Sequence, residues 1–255
     1  MKSLTLMSLL LMACQGNPPP ARPAKDLNPQ DPRSVLEHAA YNTRNQKSYE
    51  TKFKARLTTT GAPLDYDGRC VWVHPGVLYV HYTASGGDEK MIVRAGDKDV
   101  WVYNSLVGWV TADEAGMAGA GRGIQNSDEV LAVLARNSGT AKLAKPGLVE
   151  LEFKGEDIER IMKEQASKGA FDWKESSAKL DLATDSENRL QKFTCDATLK
   201  STDPNVKGTI RYTAEVTLVS YNGARELQFL DEKKRVIPLL PEMKTKIESV
   251  LKEKQ

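Results

Sequence analysis

The sequence predicts an α+β fold built on one large antiparallel sheet. Three observations carry this. An apolar stripe at near-four spacing over residues 35–43 gives way after residue 47 to strict alternation. Short runs rich in Val, Tyr, Trp and Thr then follow at close intervals, separated by Gly, Pro, Asn and Asp. Two stretches with helical spacing interrupt these runs before four long, alternating segments close the chain.

Pro32–Gln46 reads as a helix. Asp31 can cap it, and Pro32 suits the first helical turn. Val35, Leu36, Ala39, Ala40 and Thr43 form its inward stripe. Ser48–Thr60 alternates Tyr49, Thr51, Phe53, Ala55 and Leu57 with Glu50, Lys52, Lys54 and Arg56, which describes a strand with one dry and one wet face. Further strands are predicted at Tyr66–His74, Val77–Ala84, Glu89–Ala95, Asp99–Asn104 and Val107–Thr111.

The link His74-Pro75-Gly76-Val77 predicts a tight hairpin turning at Pro75-Gly76. Val73 would then face Leu78, Val71 would face Val80, and Trp72 would face Tyr79. One face would carry Val71, Val73, Leu78, Val80 and Tyr82; the other would carry Cys70, Trp72, His74, Tyr79 and His81. A sheet this apolar on both faces is covered on both, or covered on one and open to a ligand on the other.

Gly116–Gly123 reads as a glycine-rich loop without a phosphate-binding pattern. Ser127–Arg136 reads as a short helix with Val130, Leu131 and Leu134 inward, capped by Asn126 or Ser127. A strand at Gly147–Lys154 and a helix at Asp157–Ser167 follow. The closing strands are Ala178–Thr184, Leu190–Lys200, Gly208–Tyr221 and Ala224–Leu230, with hairpin turns at Asp185–Asn188 and Asn222-Gly223. A charged helix runs from Pro241 to Lys254.

The N-terminus points to export. Lys2 is followed by an apolar run from Leu4 to Met12, too short to span a bilayer, and then by Ala13-Cys14. Leu11-Met12-Ala13-Cys14 resembles the lipobox of bacterial lipoproteins. That resemblance implies a signal peptide over residues 1–13 and a diacylglycerol and acyl chains on Cys14. Two or three such chains hold a protein stably on a membrane. Residues 14–31, with Pro18-Pro19-Pro20, Pro23 and Pro29, read as an extended tether. With no Asp beside Cys14, the sorting rule of enteric bacteria implies the outer membrane.

The formal net charge is +2 with both signs interspersed, which argues against nucleic acid as a partner. With Cys14 assigned to lipid, Cys70 and Cys195 remain. In an exported protein their expected state is a disulfide, the other reading being two buried thiols on different strands. His74 and His81 fall on one predicted face, several residues apart across a hairpin; a metal would want a further carboxylate or thiolate beside them, and no metal site is expected. No GxSxG occurs, and the pairs Asp97/Asp99 and Asp113/Glu114 sit in turns. The expectation is a protein that is not an enzyme.

The order of elements over 32–241 resembles the LolA/LolB-like superfamily of periplasmic lipoprotein carriers. The echoes are the first helix followed by Ser48-Tyr49, the Gly68…Pro75 hairpin, Val100-Trp101-Val102-Tyr103 with Trp109 beyond, and Ala214–Asn222. The resemblance implies that residues 32–255 form an unclosed half-barrel, with helices covering its concave face and a cavity for acyl chains. It implies a lipid or lipidated-protein partner, or an envelope protein partner where the same fold serves sensing. It also implies a periplasm-facing location in the cell envelope. On this reading Val71, Val73, Leu78, Val80, Tyr82, Val100 and Val102 line the cavity, the opposite strand face being the alternative. No cofactor is expected beyond the acyl groups on Cys14.

Replacing Cys14 tests the anchor. In cells fed an alkyne fatty acid, the wild-type protein is expected to take the label and sediment with membranes. Cys14→Ala is expected to do neither.

Overall fold

A computed structural model describes residues 22–59, 61–96, 99–115, 127–136, 140–158, 171–202 and 208–252. It contains one antiparallel sheet of eleven strands that does not close. These are β1 (Ser48–Thr58), β2 (Leu64–Val73), β3 (Val77–Ala84), β4 (Glu89–Ala95), β5 (Asp99–Asn104), β6 (Gly108–Thr111), β7 (Lys142–Lys145), β8 (Leu148–Lys154), β9 (Phe171–Thr184), β10 (Leu190–Ser201) and β11 (Thr209–Tyr221). Their order is β6-β5-β4-β3-β2-β1-β11-β10-β9-β8-β7. Adjacent strands are therefore consecutive in sequence except where β1 meets β11, and the consecutive strands β6 and β7 lie at opposite edges. The described residues also include the helices α1 (Pro32–Arg44), α2 (Ser127–Arg136) and α3 (Pro241–Lys252).

The chain forms two compact units. One holds the described residues up to Asn45 and those among 54–65 and 123–217. Its first helix begins as predicted: the Asp31 side chain accepts from the Arg33 N–H at 3.0 Å, with Pro32 at the first helical position. Val35, Leu36, Ala39, Ala40 and Thr43 are all buried. α1 packs on α2, whose Leu131–Ala135 are buried, and reaches β8 and β10. Two side chains tie it to the β9–β10 turn. Thr43 Oγ1 accepts from the Leu190 N–H at 2.9 Å, and Asn188 Nδ2 donates to the Val35 carbonyl at 3.0 Å. Asn188 holds a left-handed backbone (φ 52°), which Asn tolerates better than most residues.

The register of this unit sets Cys195 opposite Ala214 and Leu180, and Ala197 opposite Tyr212 and Ala178. Leu180 in turn faces Leu151. The alternate positions are charged and paired at the surface: Arg211 with Asp196 and Lys192 with Glu215, both at 2.7 Å. β7 has no counterpart in the predicted elements, because Lys142–Lys145 is too short and too basic to show a strand pattern. β9 starts at Phe171 rather than Ala178.

The other unit holds 46–53, the described residues among 66–122, and 218–252. Asn222 is its corner. Asn222 sits at φ 59° and its N–H donates to the Ser48 carbonyl at 2.8 Å. Its Oδ1 accepts from the Lys47 N–H at 2.7 Å, and its Nδ2 donates to Gln46 Oε1 at 2.9 Å. The predicted Asn222-Gly223 hairpin does not form, and Ala224–Leu230 is not a strand. The segment leaves the sheet so that Leu227 and Phe229 enter the core against Tyr79, Trp101 and Trp109. α3 follows, with Met243 and Ile247 in the same cluster. The predicted loop at 116–123 lies outside the described residues, as does most of the predicted helix Asp157–Ser167.

Gly68 marks a close approach on β2. A Cβ built there would lie 2.5 Å from Phe53 Cζ, 2.6 Å from the His81 carbonyl oxygen and 2.6 Å from Tyr82 Cβ. Two of these three atoms are a backbone oxygen and a Cβ, which cannot swing away. Gly68→Ala is expected to cost about 1–3 kcal/mol, read as a lower urea midpoint with an unchanged slope.

Candidate functional site

The hairpin between β2 and β3 decides which side chains share a face. Its loop has three residues, His74, Pro75 and Gly76, so Val73 pairs with Val77, Trp72 with Leu78, Val71 with Tyr79 and Cys70 with Val80. The His74 N–H is drawn off to the Lys47 carbonyl at 2.9 Å. The sequence predicts a pairing one residue further on, and one residue of slip moves a strand's side chains to the other face. The seven predicted cavity residues are therefore divided. Leu78, Val80, Tyr82, Val100 and Val102 share one face with Cys70 and Trp72. Val71 and Val73 lie on the other, with Tyr79 and Trp101.

The first face continues across β4 and β1. Ile92 lies between Val80 and Val102, and Arg94 lies between Leu78 and Val100. From β1, Tyr49 stacks on Trp72 with ring centroids 5.3 Å apart and planes at 20°, and Phe53 meets Tyr82 at 6.4 Å. Tyr66 meets Tyr82 edge-on at 6.2 Å. All of these side chains except Cys70 are buried. Burial pushes the Tyr82 and Tyr66 hydroxyls above the usual tyrosine range, with nearby Asp88 adding to the shift. Tyr49, Ile92 and Arg94 escaped the sequence reading as wall residues, and Trp72 entered it only on the alternative face. The available signal was Arg94 itself, a charge inside the apolar run Met91-Ile92-Val93-Arg94-Ala95.

The second face is covered by its own unit. Phe229 packs on Trp109 at 5.2 Å and on Tyr79 at 6.4 Å, and Trp109 Nε1 donates to the Pro238 carbonyl at 3.1 Å. Val71, Val77, Val93 and Ala95 join Met243 and Ile247 of α3 in one cluster, with Val73 packed against it. His81, on this face, bonds Glu89 at 2.5 Å, while His74 sits in the turn with its ring edge-on to Trp72 at 5.5 Å. The two histidines thus do not share a strand face as predicted. Among the described residues no three His, Cys, Asp or Glu side chains gather as a metal would require, and no helix is long and apolar enough to cross a membrane.

Cys70 and Cys195 are free thiols, which corrects the expected disulfide. A disulfide requires Cα atoms within about 7 Å, and β1 and β11 both stand between β2 and β10 in the sheet order. Removal from water pushes each thiol up to about 12, only partly offset at Cys70 by a bond to Thr51. Such thiols are poor nucleophiles. Cys14 lies outside the described residues.

No protein-family model matches the chain, and no curated protein matches it. Solved structures do. The chain is similar to LprF from Mycobacterium bovis at 10% identity and TM-score 0.37, over 76% of this chain and 94% of that one. It is similar to a DUF1329 family protein from Desulfovibrio piger at 11% identity and TM-score 0.32, over 77% and 95%. It is similar to a chain of the Pseudomonas aeruginosa MucA/MucB complex at 9% identity and TM-score 0.34, over 81% and 63%.

The two thiols and Tyr79, also pushed up to about 12 by burial and then by Glu226, make stability fall in alkali. In the unfolded chain thiols ionise near ~8.5 and tyrosine near ~10. Above those values the unfolded chain has released protons that the folded chain still holds, so the balance moves toward unfolding as pH rises toward 12. The urea midpoint is expected to drop between about pH 8 and about pH 11. Cys70 and Cys195 are expected to react with iodoacetamide only after unfolding, and reduction is expected to leave the mass unchanged.

Proposed function

We propose that this protein is a lipid-anchored envelope lipoprotein that holds the acyl chain of a lipid or lipidated protein, for transfer or retention at the cell envelope. Cys14 carries the anchor, residues 14–31 are the tether, and the mature chain faces the periplasm from the outer membrane. The sheet curls into a half-barrel whose concave side takes the chain, with helices over it. One observation carries the reading. In the 46–53, 66–122 and 218–252 unit both sheet faces are apolar, and its described helix, α3, belongs to only one of them. The other face presents Leu78, Val80, Tyr82, Ile92, Val100 and Val102 in adjoining rows. Apolar, aromatic-rich walls with few polar groups are what a lipid-like ligand needs, and each buried methylene contributes about 0.8 kcal/mol.

This division of labour also revises the wall. Val71 and Val73 belong to the core under α3, so they leave the proposed site, and Trp72 and Ile92 enter it. No bond is made or broken, and the role is binding rather than catalysis.

The test is native mass spectrometry of the full chain released from a nonionic detergent, with extraction of what is bound. A discrete lipid at about one per protein is expected. Val80→Phe and Val102→Phe fill the wall without adding charge and are expected to lower retained lipid about fivefold or more, the scale of a 1–3 kcal/mol steric penalty. Val73→Phe, on the opposite face, is expected to leave it unchanged in protein of native melting temperature. A folded protein that carries no lipid and takes none up would overturn the reading and favour a protein-binding module.

A further inference from the structure

We infer that Asn222-Gly223 is a site of spontaneous modification, at which the Asn222 amide is lost as ammonia and an aspartate or isoaspartate takes its place. In this reaction the Gly223 main-chain nitrogen gives up its proton and bonds to Asn222 Cγ. The Cγ–Nδ2 bond breaks, and Nδ2 leaves with that proton as ammonia. Water then opens the cyclic imide at one carbonyl or the other. The balance is one water in and one ammonia out, with no oxidant or reductant. Asparagine is among the thermally labile residues, and a following glycine has no Cβ to hinder the approach of its nitrogen. This is the only asparagine of the chain that is followed by glycine.

The structure leaves the reacting groups open. Asn222 and Gly223 are both exposed, so water reaches them. Gly223 lies outside strand and helix, and among the described residues its N–H donates no hydrogen bond, so the attacking nitrogen is not held elsewhere. The Lys47 nitrogen lies 2.7 Å from Asn222 Oδ1, the oxygen on which negative charge gathers as Cγ is attacked. An N–H donor at that distance stabilises such a charge. Neither space nor backbone demands the glycine. Beyond its chain neighbours, a Cβ at 223 would meet nothing nearer than Ser220 Oγ at 3.8 Å and the Tyr221 carbonyl oxygen at 4.0 Å, and the residue is not in the left-handed region. Gly68, by contrast, has no room for a Cβ.

The product falls at the corner that binds residues 46–48. Asn222 Nδ2 donates to Gln46 Oε1 at 2.9 Å, and a carboxylate in its place donates nothing. Isoaspartate also adds a carbon to the main chain, shortly before Leu227 and Phe229 enter the core.

The experiment ages the folded full chain in neutral buffer, below its unfolding temperature. Mass spectrometry follows the peptide that holds residues 222 and 223, and isoaspartyl methyltransferase counts the isoaspartate. Asn222 is expected to convert faster than any other asparagine of the molecule, with isoaspartate exceeding aspartate. Gly223→Ala, at a position with room for the methyl group, is expected to keep the native melting temperature and to slow conversion severalfold. Asn222→Asp, which stands for the simpler product, is expected to fold with a lower urea midpoint. An Asn222 that stays intact in the folded chain while converting in urea overturns the inference, because the bonds to residues 46–48 then protect it. So does conversion at an unchanged rate in Gly223→Ala. An unchanged midpoint in Asn222→Asp overturns the cost assigned to losing the Gln46 bond.

Discussion

A side chain on a strand has two directions open to it, and in this protein the length of one turn chooses between them. His74, Pro75 and Gly76 form a three-residue loop, and this sets Trp72 beside Leu78 and Val71 beside Tyr79. From that pairing the rest of β3 to β6 follows by hydrogen-bond register. Trp72 is placed to stack on Tyr49, Gly68 is placed under Phe53, and Val71, Val77 and Tyr79 are turned toward Phe229 and Met243. A shift of one residue would put Trp72 under α3 and Val71 against Tyr49, with neither volume matched.

Most of the secondary structure was legible in the sequence. Asp31, Pro32 and the 35–43 stripe define α1 by capping chemistry and period, and both are seen. The alternation of β1 appears directly in its burial, with Tyr49, Thr51, Phe53, Ala55 and Leu57 inside and Lys52, Lys54 and Arg56 outside. The candidate site was legible in part. Five of its predicted residues share a face, but the two on β2 do not, because Pro75-Gly76 signals a turn without stating how many residues the turn consumes. Asn222-Gly223 misled for a related reason. Asn222 takes the left-handed backbone that such a pair favours, yet its side chain binds Gln46 and Lys47 rather than closing a hairpin. Local turn chemistry was right and the tertiary partner was not visible. The cysteines show the same limit: export chemistry favours pairing, but only the strand order shows that two strands intervene.

Asn222 also joins the two ends of the meander. Its backbone and side chain bind Ser48, Lys47 and Gln46, residues about 175 positions earlier in the chain. β1 and β11 are neighbours in the sheet order as well. Contacts so distant in sequence form only after a large loss of chain entropy, which places this fold among the slower-folding topologies. The hairpins from β2 to β6 carry no such cost, since each pairs with its immediate successor.

An open sheet has two borders, and here they fall on β6 and β7, each of four residues. Four residues offer a passing chain little backbone to pair with, and β7 adds Lys142 and Lys145, both exposed, at its two ends. Short, lysine-flanked borders are how open sheets discourage edge-to-edge growth. The protein can therefore be crowded on a surface at high density, as neighbours that remain separate molecules rather than strands of one continuous ribbon.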